Sequence, residues 1–462
     1  MTVTPLPPAG DGWLAQPERH PGRSIVLLAA MMMTAYVLSV ILLPKPDGRI
    51  LIGDALHHYV QLRSAVFDRD LHFRNEYIRM YGLDGPTDDT AWVFTDTATG
   101  HVRNMMPVGP ALVWAPAFLI ATLLVWVANL AGAAYPLDGY GRVFQATAGI
   151  SGIAAAAAGV WFSFRAASEL FVARSAIWAC LVLWLASSAI YYSLISPTYS
   201  HAASLLATSA FWLTFVTSRA RPTTLRYAAL GALAGVSALM RWQDVVLMLV
   251  VAVDLAWRIR QGISAGRLVA WGAVSAIAAA VAFVPQMIVW QTIYGQPLAI
   301  PQGPGFMRWS EPALFAVLFS TFRGLLTWTP IVAVALAGMA PLLKRDRLVG
   351  VAAVVFFVLS WYVNAVVADW WAGEAFGARR FVSCVPIFVL ALAALVDAWS
   401  PALGTLATAS GAVVAHTFLL LVQYQAFMKG LREIVPYPST AYGLWLARFR
   451  VPFDLIAWWW NR

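Results

Sequence analysis

Cysteine and charge are scarce in this 462-residue chain. Cys180 and Cys384 are its only cysteines and fall in different apolar runs, which excludes a disulfide framework and leaves both as packing residues. Charged residues make up 11% of the chain and acids number 22, too few to solvate a globular surface of this size. No soluble domain of ordinary size stands out, and no internal repeat of 20 to 50 residues is visible. The first apolar run, 25–43, ends in PKPDG with no small-residue cleavage site, so it reads as a retained anchor. The net charge of +9 does not point to nucleic acid, because the arginines stand in short clusters between apolar runs, where they orient a membrane protein.

What is present is apolar length. The chain is 60% hydrophobic with a mean hydropathy of +0.70. Its runs match the roughly 20 residues that cross a bilayer, which predicts an all-α polytopic membrane protein. Twelve candidate spans are readable: 25–43, 110–131, 142–164, 175–193, 201–217, 226–241, 244–257, 268–290, 325–343, 348–366, 381–397 and 402–424. Arginine and lysine clusters at 19/23, 165/174, 219/221/226, 258/260/267 and 344/345/347 should share the cytoplasmic face. Successive clusters are two candidate spans apart except the first two, which three candidates separate. One of those three should not cross. The proline-interrupted segment 110–131 is the choice, placed in or along the outer leaflet, leaving eleven spans (twelve if it crosses). The predicted organisation is a disordered cytoplasmic tail over 1–24, a transmembrane domain over 25–424, and an interfacial C-terminal tail over 425–462 that ends in three tryptophans. Loops 44–141, 194–200, 242–243, 291–324 and 367–380 then all face outward.

Polar residues concentrate in the first of those loops. Nine of the 22 acids and four of the seven histidines lie between residues 47 and 101. A helix over 54–68 would gather Asp54, His57, His58, Gln61, Ser64 and Asp68 into an arc of about 120° at 100° per residue, with Leu56, Tyr59, Val60, Leu62, Val66 and Phe67 opposite. Such a helix is expected in the interface plane, apolar face in lipid and polar arc toward a water-filled cavity. Asp54 opens it, where a carboxylate can simply cap the helix or can act as a base, and the adjacent histidines add proton-transfer capacity. Further along, SPTYSHA (196–202) carries His201. MRWQDV (240–245) places Arg241 beside Asp244 as a local pair or an anion site. ADWWAGEAFGARRF (368–381) offers Trp370, Trp371, Glu374, Arg379 and Arg380 on the outer side, against the positive-inside trend, which points to a bound anion. The Gly/Pro-rich loop 294–312, with Arg308, reads as a cover over a site.

Carboxylates and histidines at an outer interface, arginines for an anion and tryptophans for sugar faces suit transfer of a sugar from a polyprenyl-phosphate carrier. In this arrangement the chain resembles the GT-C superfamily of membrane glycosyltransferases, which includes protein mannosyltransferases and aminoarabinose transferases. The carrying stretches are GDALHHYVQLRSAVFDRDL, similar to the family's acidic motif in the first outer loop; MMPVGPALVWAP, similar to its juxtamembrane helix; and SPTYSHA. WWAGEAFGARRF is similar to a segment of uncharacterised bacterial members, and the likeness spans about residues 25–400. The resemblance implies a GT-C-like helical bundle in the bacterial inner membrane with an active site facing the periplasm. It also implies an inverting transfer with Asp54 as general base. His58 and His201 are further catalytic candidates, and His57, Glu76, Arg241, Arg308, Trp370, Trp371, Glu374, Arg379 and Arg380 are expected to bind substrate. Expected partners are a polyprenyl-phosphate sugar, a lipid, glycan or protein acceptor, and membrane lipids. Two departures stand out: Ala55 follows Asp54 where the family has Glu, and His201 stands where many relatives have Asp. No cofactor is assigned, although Asp54 and His58 at i, i+4 could give a divalent cation two ligands. A transporter or flippase of lipid-linked sugars, and a non-catalytic assembly protein of the same fold, are the rival classes.

Overall fold

The computed structural model describes residues 15–43, 49–82, 90–431 and 440–461. Among them are thirteen helices of ten or more residues: α1 Pro21–Leu42, α2 Asp54–Arg63, α3 Gly109–Leu130, α4 Arg142–Ser168, α5 Ala173–Leu185, α6 Ser200–Thr217, α7 Thr224–Met240, α8 Leu247–Ile259, α9 Ala265–Tyr294, α10 Arg347–Ala365, α11 Val385–Trp399, α12 Leu403–Met428 and α13 Ala441–Trp460. No strand occurs among the described residues, and seven helical segments are long and apolar enough to cross a membrane. Of the tail expected to be disordered, 1–14 lies outside the described residues, while Gln16–Arg19 is helical and α1 begins at Pro21. The acids Asp47, Asp84, Asp88 and Asp89 also lie outside them.

The arginine clusters do meet. Arg174 pairs with Glu18 at 3.2 Å, Arg345 donates to the Leu170 carbonyl at 2.9 Å, and Arg219 pairs with Asp346 at 2.6 Å. Beside them Arg226 and Arg258 both grip the fully buried Asp254, at 2.7 and 3.1 Å. One end of the bundle is therefore arginine-rich, and the polar turns of the first-loop region gather at the other. Segment 107–138 leaves from and returns to that second end: Pro107 lines the cavity there, and the Asp138 carbonyl accepts from Arg63 at 2.9 Å. Between them α3 is unbroken by Pro116 and presents Leu119, Leu123 and Leu124 outward, as a helix against lipid would.

Glycines bring the long helices close. Gly231 and Gly235 of α7 sit where a Cβ would lie 2.1 and 2.3 Å from the carbonyls of Ser275 and Ala279 on α9. Two helices can approach that closely only where side chains are missing, the small-xxx-small arrangement of membrane helix pairs. Likewise Gly152 meets the Pro197 carbonyl and Gly159 meets Leu205, which holds the SPTYSHA turn against α4. The run 325–343, expected as one span, is instead broken into Leu325–Trp328, Ile331–Ala337 and Met339–Arg345. Pro330 lacks the amide a continuous helix needs, and the chain bends again at Gly338. The C-terminal tail forms α13, packed on α12, with its Arg448 buried beside His416 at 3.0 Å.

The helix over 54–63 differs from its expected setting. Every residue from Ala55 to Arg63 is buried, so neither face meets lipid or water. Its apolar side packs on α3 through Tyr59 and Phe118, ring centroids 5.7 Å apart. Its polar side is covered by the 104–107 segment, where Gln61 donates to the Met106 carbonyl at 3.0 Å. Periodicity identified the two faces correctly, but it cannot say that protein covers both. A π-helical turn, Ser64–Asp68, ends the helix earlier than expected.

Candidate active site

Five polar turns converge at the end of the bundle opposite the arginine-rich one, around a cavity of about 650 Å³. Asp54, His201, Arg241, Glu374, Arg379 and Arg380 all line it, although they come from positions 54 to 380. Local geometry aims Asp54 inward. Gly53 is in the left-handed region at φ 56°, and a Cβ there would lie 2.8 Å from the Tyr199 hydroxyl. The N-cap of α2 is Gly53, so Asp54 stands at the first helical position and not at the cap. Its carboxylate pairs with Arg379, at 2.9 Å.

Burial by itself would raise the Asp54 pKa. Burial is the largest single influence, but Arg379, His58, His57 and Arg380 together outweigh it and hold the carboxyl below its ordinary value. Asp54 is therefore ionised at neutral pH. Arg379 also lies over the Tyr199 ring, 5.4 Å from its centroid. Arg380 is fixed differently, donating to both the Asp369 carboxylate (2.7 Å) and the Asp369 carbonyl (2.8 Å).

His201 and Arg241 form the opposite wall. Arg241 donates to the His201 imidazole, whose accepting nitrogen must carry no proton. Asp244 does not pair with Arg241 among the described residues; it accepts from the Ser204 hydroxyl at 2.6 Å. Arg241 Nε is buried without a hydrogen-bond partner among the described residues. The Tyr192 ring backs His201, centroids 4.3 Å apart. Trp92, Tyr191, Trp242, Phe306 and Tyr424 supply flat apolar faces to the same cavity.

Several expected site residues lie elsewhere. His57 accepts or donates to Tyr77 (2.9 Å) and Tyr81 (3.1 Å), and His58 Nδ1 donates to the Pro107 carbonyl at 2.8 Å. Neither lines the cavity, and burial pushes both imidazoles down to about 4, so they are neutral at pH 7 and are not placed for proton transfer to a substrate. Among the described residues no three His, Cys, Asp or Glu side chains converge to hold a metal, so the Asp54/His58 pair gains no third ligand. Glu76 is fully buried against Arg63 at 2.9 Å, where burial, opposed by Arg63, raises it to about 7. Arg308, Trp370 and Trp371 are also absent from the lining, although Asp369, Ala372 and Gly373 next to the tryptophans belong to it. Asp369 and the aromatic wall were not singled out in the sequence. A carboxylate preceding two tryptophans carried a signal, whereas single aromatics in a chain with 22 tryptophans and 24 phenylalanines do not.

What the arrangement offers is an ionised carboxylate, three guanidiniums and several aromatic faces in one half-enclosed space. It can take a proton from a hydroxyl, hold a phosphate and cover a sugar ring. No family model matches the chain, and no curated protein does. Solved structures do match in fold. ArnT from Cupriavidus metallidurans in the apo state is 15% identical with a TM-score of 0.51, covering 94% of this chain and 77% of its own. The oligosaccharyltransferase AglB from Archaeoglobus fulgidus, solved with an inhibitory peptide and a dolichol-phosphate, is 13% identical with a TM-score of 0.46, over 96% of this chain and 54% of its own. The chain thus shares the all-helical fold of ArnT.

Proposed function

We propose that the protein is a glycosyltransferase that moves a sugar from a polyprenyl-phosphate donor to a hydroxyl of a lipid, glycan or protein acceptor. The cavity faces the outside of the membrane in this reading, the periplasmic side of a bacterial inner membrane, because the arginine-rich end is the cytoplasmic one. Asp54 takes the proton of the acceptor hydroxyl. The oxygen attacks the anomeric carbon, and the bond from that carbon to the phosphate oxygen breaks with inversion. The electron pair leaves on the phosphate, whose charge Arg379 and Arg380 neutralise, with Arg241 and its partner His201 facing them. Trp92, Tyr191 and Trp242 cover sugar faces.

One observation carries this reading: Asp54 and the three arginines share a single cavity, although they lie on three separate parts of the chain. The fold likeness to ArnT supports it at the level of fold. The test is turnover of a polyprenyl-phosphate sugar by purified Asp54→Asn. A loss of about 10²-fold or more is expected when a positioned general base is removed. Near-normal turnover by a well-folded Asp54→Asn protein would remove Asp54 from the reaction.

A further inference from the structure

A general base is most useful when its pKa approaches the working pH, and Asp54 is held the other way. Its carboxylate is ion-paired to Arg379 at 2.9 Å, and an adjacent guanidinium favours the ionised carboxyl. The same arginine is one of the two assigned above to the donor phosphate. A guanidinium that stays on the carboxylate while it binds the phosphate keeps Asp54 a weak base just when the acceptor's proton must be taken.

We infer that Arg379 is a latch on Asp54 that the donor phosphate releases: the guanidinium leaves the carboxylate for the phosphate, and only then can Asp54 accept the acceptor's proton. The inference rests on the proposed function and adds an order to it, donor before acceptor. No charge is created or lost in the exchange; one ion pair replaces another.

The surroundings single out Arg379 among the three arginines. Arg380 is tied by two hydrogen bonds to Asp369, and Arg241 is held against His201. Among the described residues Arg379 has one ion pair and the face of Tyr199, and stacking on a ring leaves the guanidinium edge free to turn from one anion to another. Its backbone follows Gly377, in the left-handed region at φ 61°, which breaks the regular structure just before it. The residues around the pair do not supply a competing switch. From α2, His57 and His58 face Asp54 but stay uncharged at neutral pH. From the 379–384 turn and the end of α7, Arg380 and Arg241 add positive charge that the latch does not move. The phenols of Tyr81 and Tyr199 are both pushed above their ordinary value by burial and remain neutral, and the Tyr192 hydroxyl accepts from the Phe376 amide at 3.1 Å.

The exchange is measurable without knowing the sugar. The full-length protein in nanodiscs is titrated by infrared difference spectroscopy, wild type minus Asp54→Asn, with and without farnesyl phosphate; binding is followed separately by tryptophan fluorescence. Saturating farnesyl phosphate should raise the Asp54 midpoint by about one unit or more. In Arg379→Gln the midpoint should already be raised in the free protein, and farnesyl phosphate should move it less than half as far. Arg379→Lys, which keeps the charge, should retain a shift and guards against a misfolded glutamine variant. A midpoint that stays put in saturated wild type, or that moves equally in Arg379→Gln, overturns the latch. Loss of transfer in Asp54→Asn together with an unmoved midpoint would overturn the latch while sparing the proposed function. Failure of farnesyl phosphate to bind at all would overturn both.

Discussion

The close contact of α7 and α9 predicts a packing defect with a functional tail. In Gly231→Ala the new Cβ would lie 2.1 Å from the Ser275 carbonyl oxygen and 2.6 Å from its Cα, and in Gly235→Ala 2.3 Å from the Ala279 oxygen. An ordinary contact begins at 3.4 Å, so the helices must separate by roughly 3.4 − 2.1, or 1.3 Å, at the first site. Both obstructing atoms are backbone and cannot rotate away. Overpacking of this kind costs about 1–3 kcal/mol per site. The helix-propensity gain of Gly to Ala, at most about 1 kcal/mol, does not offset it. A control lies on α12: at Gly404 nothing among the described residues stands within 4 Å of an added methyl, so Gly404→Ala should be neutral or slightly stabilising. The assay is thermal denaturation of each variant in the same detergent. The double variant Gly231→Ala/Gly235→Ala should melt several degrees below wild type, on the order expected for a few kcal/mol. Because α7 ends at Met240, next to Arg241, donor affinity should fall as well. A double variant that melts with wild type and with Gly404→Ala would refute the close packing and the reasoning built on it.

Other outcomes follow from single groups. Asp254→Asn should destabilise the arginine-rich end by about 3–5 kcal/mol, since it strands two buried guanidiniums, while cavity ligands bind normally to the protein that survives; the check is a melt paired with farnesyl phosphate binding. His57 and His58 are held down to about 4, below their unfolded value near 6.5, so they contribute stability above pH 6.5 that is lost as pH falls toward 4. Glu76, raised to about 7, works in the opposite direction, so the comparison must be between proteins: His57→Gln/His58→Asn should flatten the loss of melting temperature between pH 7 and pH 4.5. An unchanged slope would show that the two imidazoles are not buried neutral. Gly53→Ala should cost activity more than stability, because it disturbs the turn that aims Asp54 and presses on Tyr199; kcat and a melt on the same preparation separate the two.

Much of the bundle was legible because charge is so rare here. In a chain with 22 acids, Asp54, His201, Arg241 and the Arg379/Arg380 pair stand out against an apolar background, and they share one cavity. Arginine clusters likewise marked one end of the bundle, and the ion pairs from Glu18 to Asp346 join them there. The failures have equally local causes. Helical projection separated the two faces of 54–63 but treated the polar one as open, whereas His57, His58 and Gln61 meet tyrosines and the 104–107 carbonyls. Hydropathy joined 325–343 into one span because Thr329 and Pro330 interrupt it without adding charge. The aromatic wall was invisible because tryptophan and tyrosine also populate membrane interfaces throughout the chain. The glycine pair at 231 and 235 was present in the sequence as GALAG, and only the facing backbone of α9 gives it meaning.

The central claim is that a bond is broken in this cavity. It is tested most directly by supplying the purified protein, in proteoliposomes, with polyprenyl-phosphate sugars labelled in the sugar, together with membrane extract as acceptor source, and following the lipid. Wild type should yield free polyprenyl phosphate and label on a new acceptor, both abolished by Asp54→Asn. Labelled donor recovered intact, on either leaflet, with wild type and Asp54→Asn indistinguishable, would contradict it.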